Sequence, residues 1–154
     1  MKVGVISDTH DYLDTKVPYL FAGVDHILHA GDVGLPQILR SLEKIAPVTA
    51  VAGNTDESAW NYPLTRTVEL AGRKFLLHHI VNPHAPSDVL RDALHRERPE
   101  VVVFGHTHKP FSETLGGILY FNPGYAGKSR FGMPRTVALL QCEEGGIRTE
   151  FRSL

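Results

Sequence analysis

Cysteine is almost absent: Cys142 stands alone in 154 residues, which excludes an internal disulfide framework and fits a reducing compartment. Its place in a late apolar run marks it as a small apolar residue of a strand. An excess of either charge is missing too. Lys+Arg 16 against Asp+Glu 17 leaves a formal net charge of -1, so there is no electrostatic footprint for duplex nucleic acid or an anionic membrane. Any phosphate chemistry must then come from a local site. Long apolar runs are lacking as well, since none approaches the ~18 residues of a membrane span. Lys2 is followed by only Val3 to Ile6 before Ser7-Asp8, too short for the apolar region of a signal peptide. The expected location is the cytoplasm. No low-complexity linker or internal repeat divides the chain, and an apolar fraction of 42% at this length predicts one domain over residues 1–154 with a real core.

Histidine, by contrast, is plentiful at nine residues, and most of these follow short apolar runs. Val101 to Phe104 reads as a strand buried on both faces, stopping at Gly105 before His106-Thr107-His108. Residues two apart in an extended strand share a face, but past a strand end a glycine relaxes the backbone enough to aim both imidazoles at one place. Lys2 to Ile6 ends at Ser7-Asp8-Thr9-His10. Asp25 to His29 ends at Ala30-Gly31-Asp32, Val48 to Ala52 at Gly53-Asn54-Thr55-Asp56, and Lys74 to Leu77 at His78-His79. Helices are predicted over Pro36 to Ile45, Ser87 to Arg98 and, more weakly patterned, Thr15 to Phe21. This alternation implies right-handed crossovers and a largely parallel sheet in the first half. Later strands, Thr65 to Leu70, Arg73 to Leu77, Gly117 to Phe121, Arg135 to Gln141 and Ile147 to Phe151, are joined by turn signals at Ala71-Gly72 and Gly145-Gly146 and predict a second, mostly antiparallel sheet packed on the first.

Collected, the strand-end donors are Asp8, His10, Asp32, Asn54, His78, His106 and His108. Taken singly, Asp8 could cap a turn, Asp32 could be a loop carboxylate and Asn54 a turn asparagine. Turns alone do not call for histidine, and the coincidence at five strand ends needs another account. A mixed oxygen and nitrogen set suits divalent manganese, iron or zinc. Seven donors exceed one closed tetrahedral site; two metals sharing a carboxylate bridge fit the count, with Asp32 the natural bridge.

The order Asp8-x-His10, Gly31-Asp32, Gly53-Asn54, a strand-end His78 and Gly105-His106-x-His108 resembles the calcineurin-like metallophosphoesterases, closest to their small single-domain phosphodiesterase subfamily. The resemblance runs from Lys2 to about Gly124. It implies an α/β fold, a four-layer αββα sandwich of two mixed sheets flanked by helices, with the metal site at the strand carboxyl ends. It also implies one metal on Asp8, His10, Asp32 and His108 and the other on Asp32, Asn54, His78 and His106, so that Asp32, Asn54 and His78 count as catalytic. Two divalent ions, manganese first and iron, zinc, nickel or cobalt as alternatives, would turn a bound water into the nucleophile for in-line hydrolysis of a small phosphodiester. Asp11, Thr9 and the backbone near Gly31 are candidates to orient the histidines.

Two positions depart from that pattern. Thr55 stands where larger relatives carry a histidine credited with protonating the leaving group, and a hydroxyl is a poor general acid near neutral pH. His79 replaces the glycine of a common His-Gly-His, which leaves it as a support or substrate contact beside His78. Thr55, His79 and Arg130 are therefore the expected substrate contacts, with Lys128 and Arg135 as neighbouring cations and Trp60, Tyr62 and Phe131 as aromatics able to stack on a base or to fill a core or subunit contact. Competing readings are a non-catalytic interaction scaffold on the same fold and a phosphomonoesterase or phosphoprotein phosphatase. A homo-oligomer is compatible with all of them.

Overall fold

The computed structural model describes residues 1–154. Lys2–Ile6 (β1), His26–His29 (β2) and Val48–Ala50 (β3) lie parallel, with β1 beside β2 and β2 beside β3. Their connections carry Val17–Leu20 (α1) and Gln37–Glu43 (α2). In α2 the buried residues are Ile38 and Leu42, one helical turn apart, which turns a single stripe to the sheet.

The remaining strands are Thr65–Leu70 (β4), Arg73–His78 (β5), Val101–Val103 (β6), Phe111–Leu115 (β7), Ile118–Asn122 (β8), Thr136–Glu143 (β9) and Gly146–Ser153 (β10), with the helix Asp88–Glu97 (α3) between β5 and β6. Ser87 caps α3 by accepting the Leu90 N–H at 3.3 Å, as its position predicts. One sheet has the order β10-β9-β1-β2-β3 and the other β4-β5-β6-β8-β7. Both are mixed: in the first, antiparallel β10 and β9 extend a parallel β1-β2-β3 on one side, and in the second, antiparallel β4 and β7 flank a parallel β5-β6-β8.

Three apolar cores separate four layers. Val3, Val5, Leu28, Phe75, Leu77, Val101, Val103 and Leu140 meet between the sheets. Ile6, Phe21, Ile27 and Leu42 join α1 and α2 to the first sheet, and Leu76, Leu90, Ala93 and Val102 join α3 to the second. This is the αββα sandwich. No helix is long and apolar enough to cross a membrane.

The division of strands differs from the expected one. β9 and β10 return to the first sheet instead of completing a second. Val137 and Leu139 of β9 pack toward the helices while Ala138, Leu140 and Cys142 pack between the sheets, the two-faced pattern of an inner strand. The centre of the second sheet is parallel, since the α3 crossover joins β5 to β6 in one direction. Strand β7 was not expected: it is a mostly exposed edge strand whose only marker is the Gly116-Gly117 turn, with both residues at positive φ.

Candidate metal centre

The carboxyl ends of β1, β2, β5 and β6, two strands from each sheet, converge at one edge of the sandwich. Pairing continues past the strands into the loops. Asp8 N–H donates to Gly31 O at 3.0 Å, His10 N–H to Asp32 O at 3.0 Å, and Gly105 N–H to His79 O at 3.0 Å. Within this frame Asp8, His10, Asp32, His106 and His108 all hold φ between 45° and 68°. Left-handed backbone of that kind costs an L residue of order 1–3 kcal/mol and persists where function requires it. Close approach is enabled by two glycines: a Cβ on Gly53 would lie 2.0 Å from Asp32 Oδ1, and one on Gly105 would lie 2.1 Å from Ser7 Oγ.

Each carboxylate is tied down by one oxygen and presents the other. Asp8 Oδ2 accepts from Ser7 Oγ at 2.7 Å and from the His106 N–H at 3.1 Å. Its Oδ1 then faces His108 Nε2 at 3.3 Å, with His10 Nε2 and His79 Nε2 each at 3.8 Å. Asp32 Oδ1 accepts the Thr55 N–H at 2.9 Å, and Oδ2 lies 3.2 Å from His79 Nε2 and 3.7 Å from His10 Nε2. His79 Nδ1–H donates to Ala30 O at 2.7 Å, so its Nε2 turns a lone pair toward the two aspartates.

Three of these atoms, Asp8 Oδ1, His10 Nε2 and His79 Nε2, are buried without a hydrogen-bond partner. Buried acceptors facing one another are costly unless a cation lies among them. The donors form two groups, Asp8 with His10 and His108, and Asp32 with His79 and His106, the ligand atoms of each lying within 4.8 Å of one another. Both groups fit a divalent ion. Asn54 Oδ1 lies 2.9 Å from His106 Nδ1, at the rim of the second.

Titration follows the same geometry. Burial works against the Asp32 carboxylate, but the His79 ring and the Thr55 N–H outweigh it and hold its pKa well below the usual range. Burial opposes charge on His79 too, yet Asp32, Asp8 and the Ala30 carbonyl outweigh it and the pKa is raised. Burial lowers His108, against the pull of Asp8.

The structure brings together Asp8, His10, Asp32, Asn54, His106 and His108 from the expected set, and corrects one member. His78 lies outside both groups: its Nδ1 is 2.7 Å from Thr65 Oγ1 on the neighbouring β4, and burial lowers its pKa. His79 occupies the position expected for it. The reason is strand parity. Phe75 and Leu77 face the opposite sheet whereas Leu76 faces α3, so His79 continues the inner row and His78 the outer.

Other expected residues divide. Thr55 supports Asp32 through its N–H. Arg130 stands over the Tyr125 ring at 5.6 Å, and that ring is 4.7 Å from the His108 ring. Arg135 is instead bound to Asp14 at 2.9 Å, away from substrate work. Trp60 packs on Tyr62, and Phe131 is fully exposed. Asp11 accepts the Leu35 N–H at 2.6 Å and orients no histidine.

Two supports escaped the sequence reading. His29, fully buried, accepts the Gly31 N–H at Nδ1 and donates from Nε2 to Thr9 Oγ1, whose own proton goes to Val33 O; both ring nitrogens are used and the imidazole is neutral, its pKa lowered to about 3 chiefly by burial. Asp56 accepts the N–H groups of Val33, Gly34 and Gly53 at 3.1, 2.8 and 2.8 Å, joining the loops that carry Asp32 and Asn54. A strand histidine and a loop aspartate give no spacing signal of such roles.

Comparison with known proteins accords with this geometry. A model of the calcineurin-like phosphoesterase superfamily domain matches residues 1–145. A probable metallophosphoesterase of Methanothermobacter thermautotrophicus is 36% identical over 146 residues, covering 90% of this chain and 85% of that protein. Phosphodiesterase MJ0936 of Methanocaldococcus jannaschii is 30% identical over 166 residues, covering 96% and 97%. Among solved structures, one described as a novel archaeal phosphodiesterase superposes with a TM-score of 0.79 at 26% identity, over 99% of this chain and 100% of that one. Wild-type Vps29 of Entamoeba histolytica in complex with zinc gives 0.76 at 22% identity over 99% of each chain, a likeness of fold alone. With the domain match spanning nearly the whole sequence, the chain belongs to the calcineurin-like phosphoesterase superfamily.

Proposed function

We propose that the protein is a metal-dependent phosphodiesterase acting on a small phosphodiester. The observation that carries this reading is the pair of three-donor groups with Asp32 Oδ2 between them, 3.7 Å from His10 of one and 3.2 Å from His79 of the other. In this reading Asp8, His10 and His108 hold one divalent cation, His79, His106 and Asn54 hold a second, and Asp32 serves both. Manganese is the first choice, with iron, zinc, nickel or cobalt as alternatives. Bound cations would supply an activated water and neutralise charge on the phosphate during in-line displacement.

The chain's own residues do the rest. Ser7 and the His106 N–H fix Asp8, the Thr55 N–H fixes Asp32, and the Ala30 carbonyl fixes the His79 tautomer, so the donors are set before substrate arrives. Arg130 brings a permanent positive charge to the rim on the His108 side, where a phosphate oxygen can accept its hydrogen bonds. Thr55 offers no titrating acid, so catalysis rests on charge neutralisation and orientation. A single domain over residues 1–154 and a cytoplasmic location belong to the same reading. Three buried donor atoms left without a partner support the metal-dependent enzyme reading over a non-catalytic scaffold.

Metal content measured beside turnover tests the proposal. Manganese-reconstituted protein should hold two metals per chain and cleave diesters faster than monoesters. Asp32→Asn should lose more activity and metal than His10→Ala or His108→Ala, since it serves both cations. A metal content near zero, with thermal stability unchanged by added manganese, would overturn the reading.

A further inference from the structure

Beside the metal donors lies a cleft of about 430 Å³ lined by Ala52, Gly53, Leu64, Ile80 and Val89, with His78 and His79 among its polar walls. That volume falls within the ~300–1,000 Å³ of small-molecule sites. Three observations bear on its occupant. The cleft shares His79 with the donor groups and is also lined by Asn54, whose Oδ1 lies 2.9 Å from His106 Nδ1, so a phosphate at the donors starts at its mouth. Its lining contains no lysine, arginine, aspartate or glutamate, whereas the opposite flank carries Arg130 over Tyr125. Leu64, Ile80 and Val89 are 71%, 48% and 65% exposed, an apolar patch that the fold itself leaves uncovered.

We propose that this cleft binds one ester arm of the substrate and selects an uncharged, planar apolar group there, such as an aryl ring or a nucleobase. The assignment rests on the phosphodiesterase reading, and it gives the misplaced His78 a role: held by Thr65, its imidazole is part of the wall that such a ring meets. The two flanks make the site asymmetric, with charge recognised on the His108 side and apolar area on the Asn54 side.

The test is calorimetric binding to the manganese-loaded protein of two phosphonate monomethyl esters with a P–C arm that cannot be cleaved, one methyl and one 2-naphthyl. The naphthyl compound should bind at least ~10-fold tighter. Leu64→Asp and Ile80→Asp, both at exposed positions, should remove that preference, while Tyr19→Asp, exposed on α1 and outside the cleft, should keep it. Equal affinities in the parent protein, or a preference that survives both cleft variants, would overturn the proposal. So would sedimentation showing a dimer that Leu64→Asp dissociates, which would seat a second copy in the cleft. Turnover of bis(4-nitrophenyl) phosphate is followed in parallel. Turnover without arm preference rejects the cleft and leaves the phosphodiesterase reading standing, whereas preference without turnover rejects the phosphodiesterase reading and the ester-arm role that rests on it, leaving only an apolar binding cleft beside the donors.

Discussion

Two adjacent histidines do different work because successive residues of an extended chain point to opposite faces. His79 Nε2 faces two carboxylates while His78 is held against Thr65. His79→Ala should therefore lower metal content by about one ion per chain and reduce kcat/KM by more than ~100-fold, beyond the loss usual for residues that only orient ligands. His78→Ala should keep both ions. Elemental analysis of the two variants side by side decides it, and a reversed result would restore His78 to the ligand set. Asp56 acts at one remove. Its carboxylate takes three backbone N–H groups from two loops, so Asp56→Ala leaves donors without acceptors at a cost of order 1–3 kcal/mol. For a chain of this size each kcal/mol lowers Tm by about 2–4 °C. Weaker manganese binding should accompany that loss, because the same loops carry Asp32 and Asn54; an unchanged metal affinity would make Asp56 a stability residue only.

Elements set how much of this was legible in the chain. Every strand that carries the site could be read from apolar runs ending in glycine, histidine, aspartate or asparagine, since a strand buried on both faces leaves a continuous run. The inner face of β5 was legible too: Phe75 and Leu77 fix the parity that selects His79. The resemblance to relatives drew the choice to His78 instead. Sheet membership of β9 was not legible, because pairing with β1 is a contact between chain ends, and β7 was hidden because an edge strand needs no apolar pattern. Loop geometry has its own test. A Cβ at Gly105 would lie 2.1 Å from Ser7 Oγ and 2.6 Å from Asp8 Oδ2, so Gly105→Ala should cost about 1–3 kcal/mol by overpacking and displace Asp8. Gly145 sits in the β9–β10 turn with nothing within 4 Å of an added Cβ, and Gly145→Ala should leave Tm and metal affinity near those of the parent. Equal effects of the two substitutions would mean that crowding at Asp8 is not what requires Gly105.

At the scale of the whole molecule, the site imposes a pH dependence on folding that can be measured without turnover. His29 is fully buried and neutral, with a folded pKa of about 3 against an ordinary value of 6.5. Between those values the unfolded chain binds a proton that the folded chain does not, so stability rises with pH across this window, by about 1.4 kcal/mol per pH unit from His29 alone. Above 6.5 this contribution is flat. His26, His78 and His108, all lowered chiefly by burial, act in the same direction below 6.5. Two groups of the cluster act elsewhere. The depressed Asp32 contributes stability that is lost as pH falls below the ordinary carboxylate value of 3.8, and the raised His79 contributes stability that is lost as pH rises above 6.5 through its folded value. The interval from pH 4 to 6.5 is thus governed by the histidines that burial lowers, His29 first among them. Urea unfolding of chelator-treated protein should show stability climbing through it, and His29→Gln, which offers an amide to Thr9 and Gly31 without a titrating ring, should flatten the climb by about one proton's slope while lowering stability at neutral pH. A variant with the parent's slope would show that His29 is not held neutral in the folded protein, and with it the fixed hydrogen bonds that join the Asp8 loop to the Asp32 loop would have to be given up.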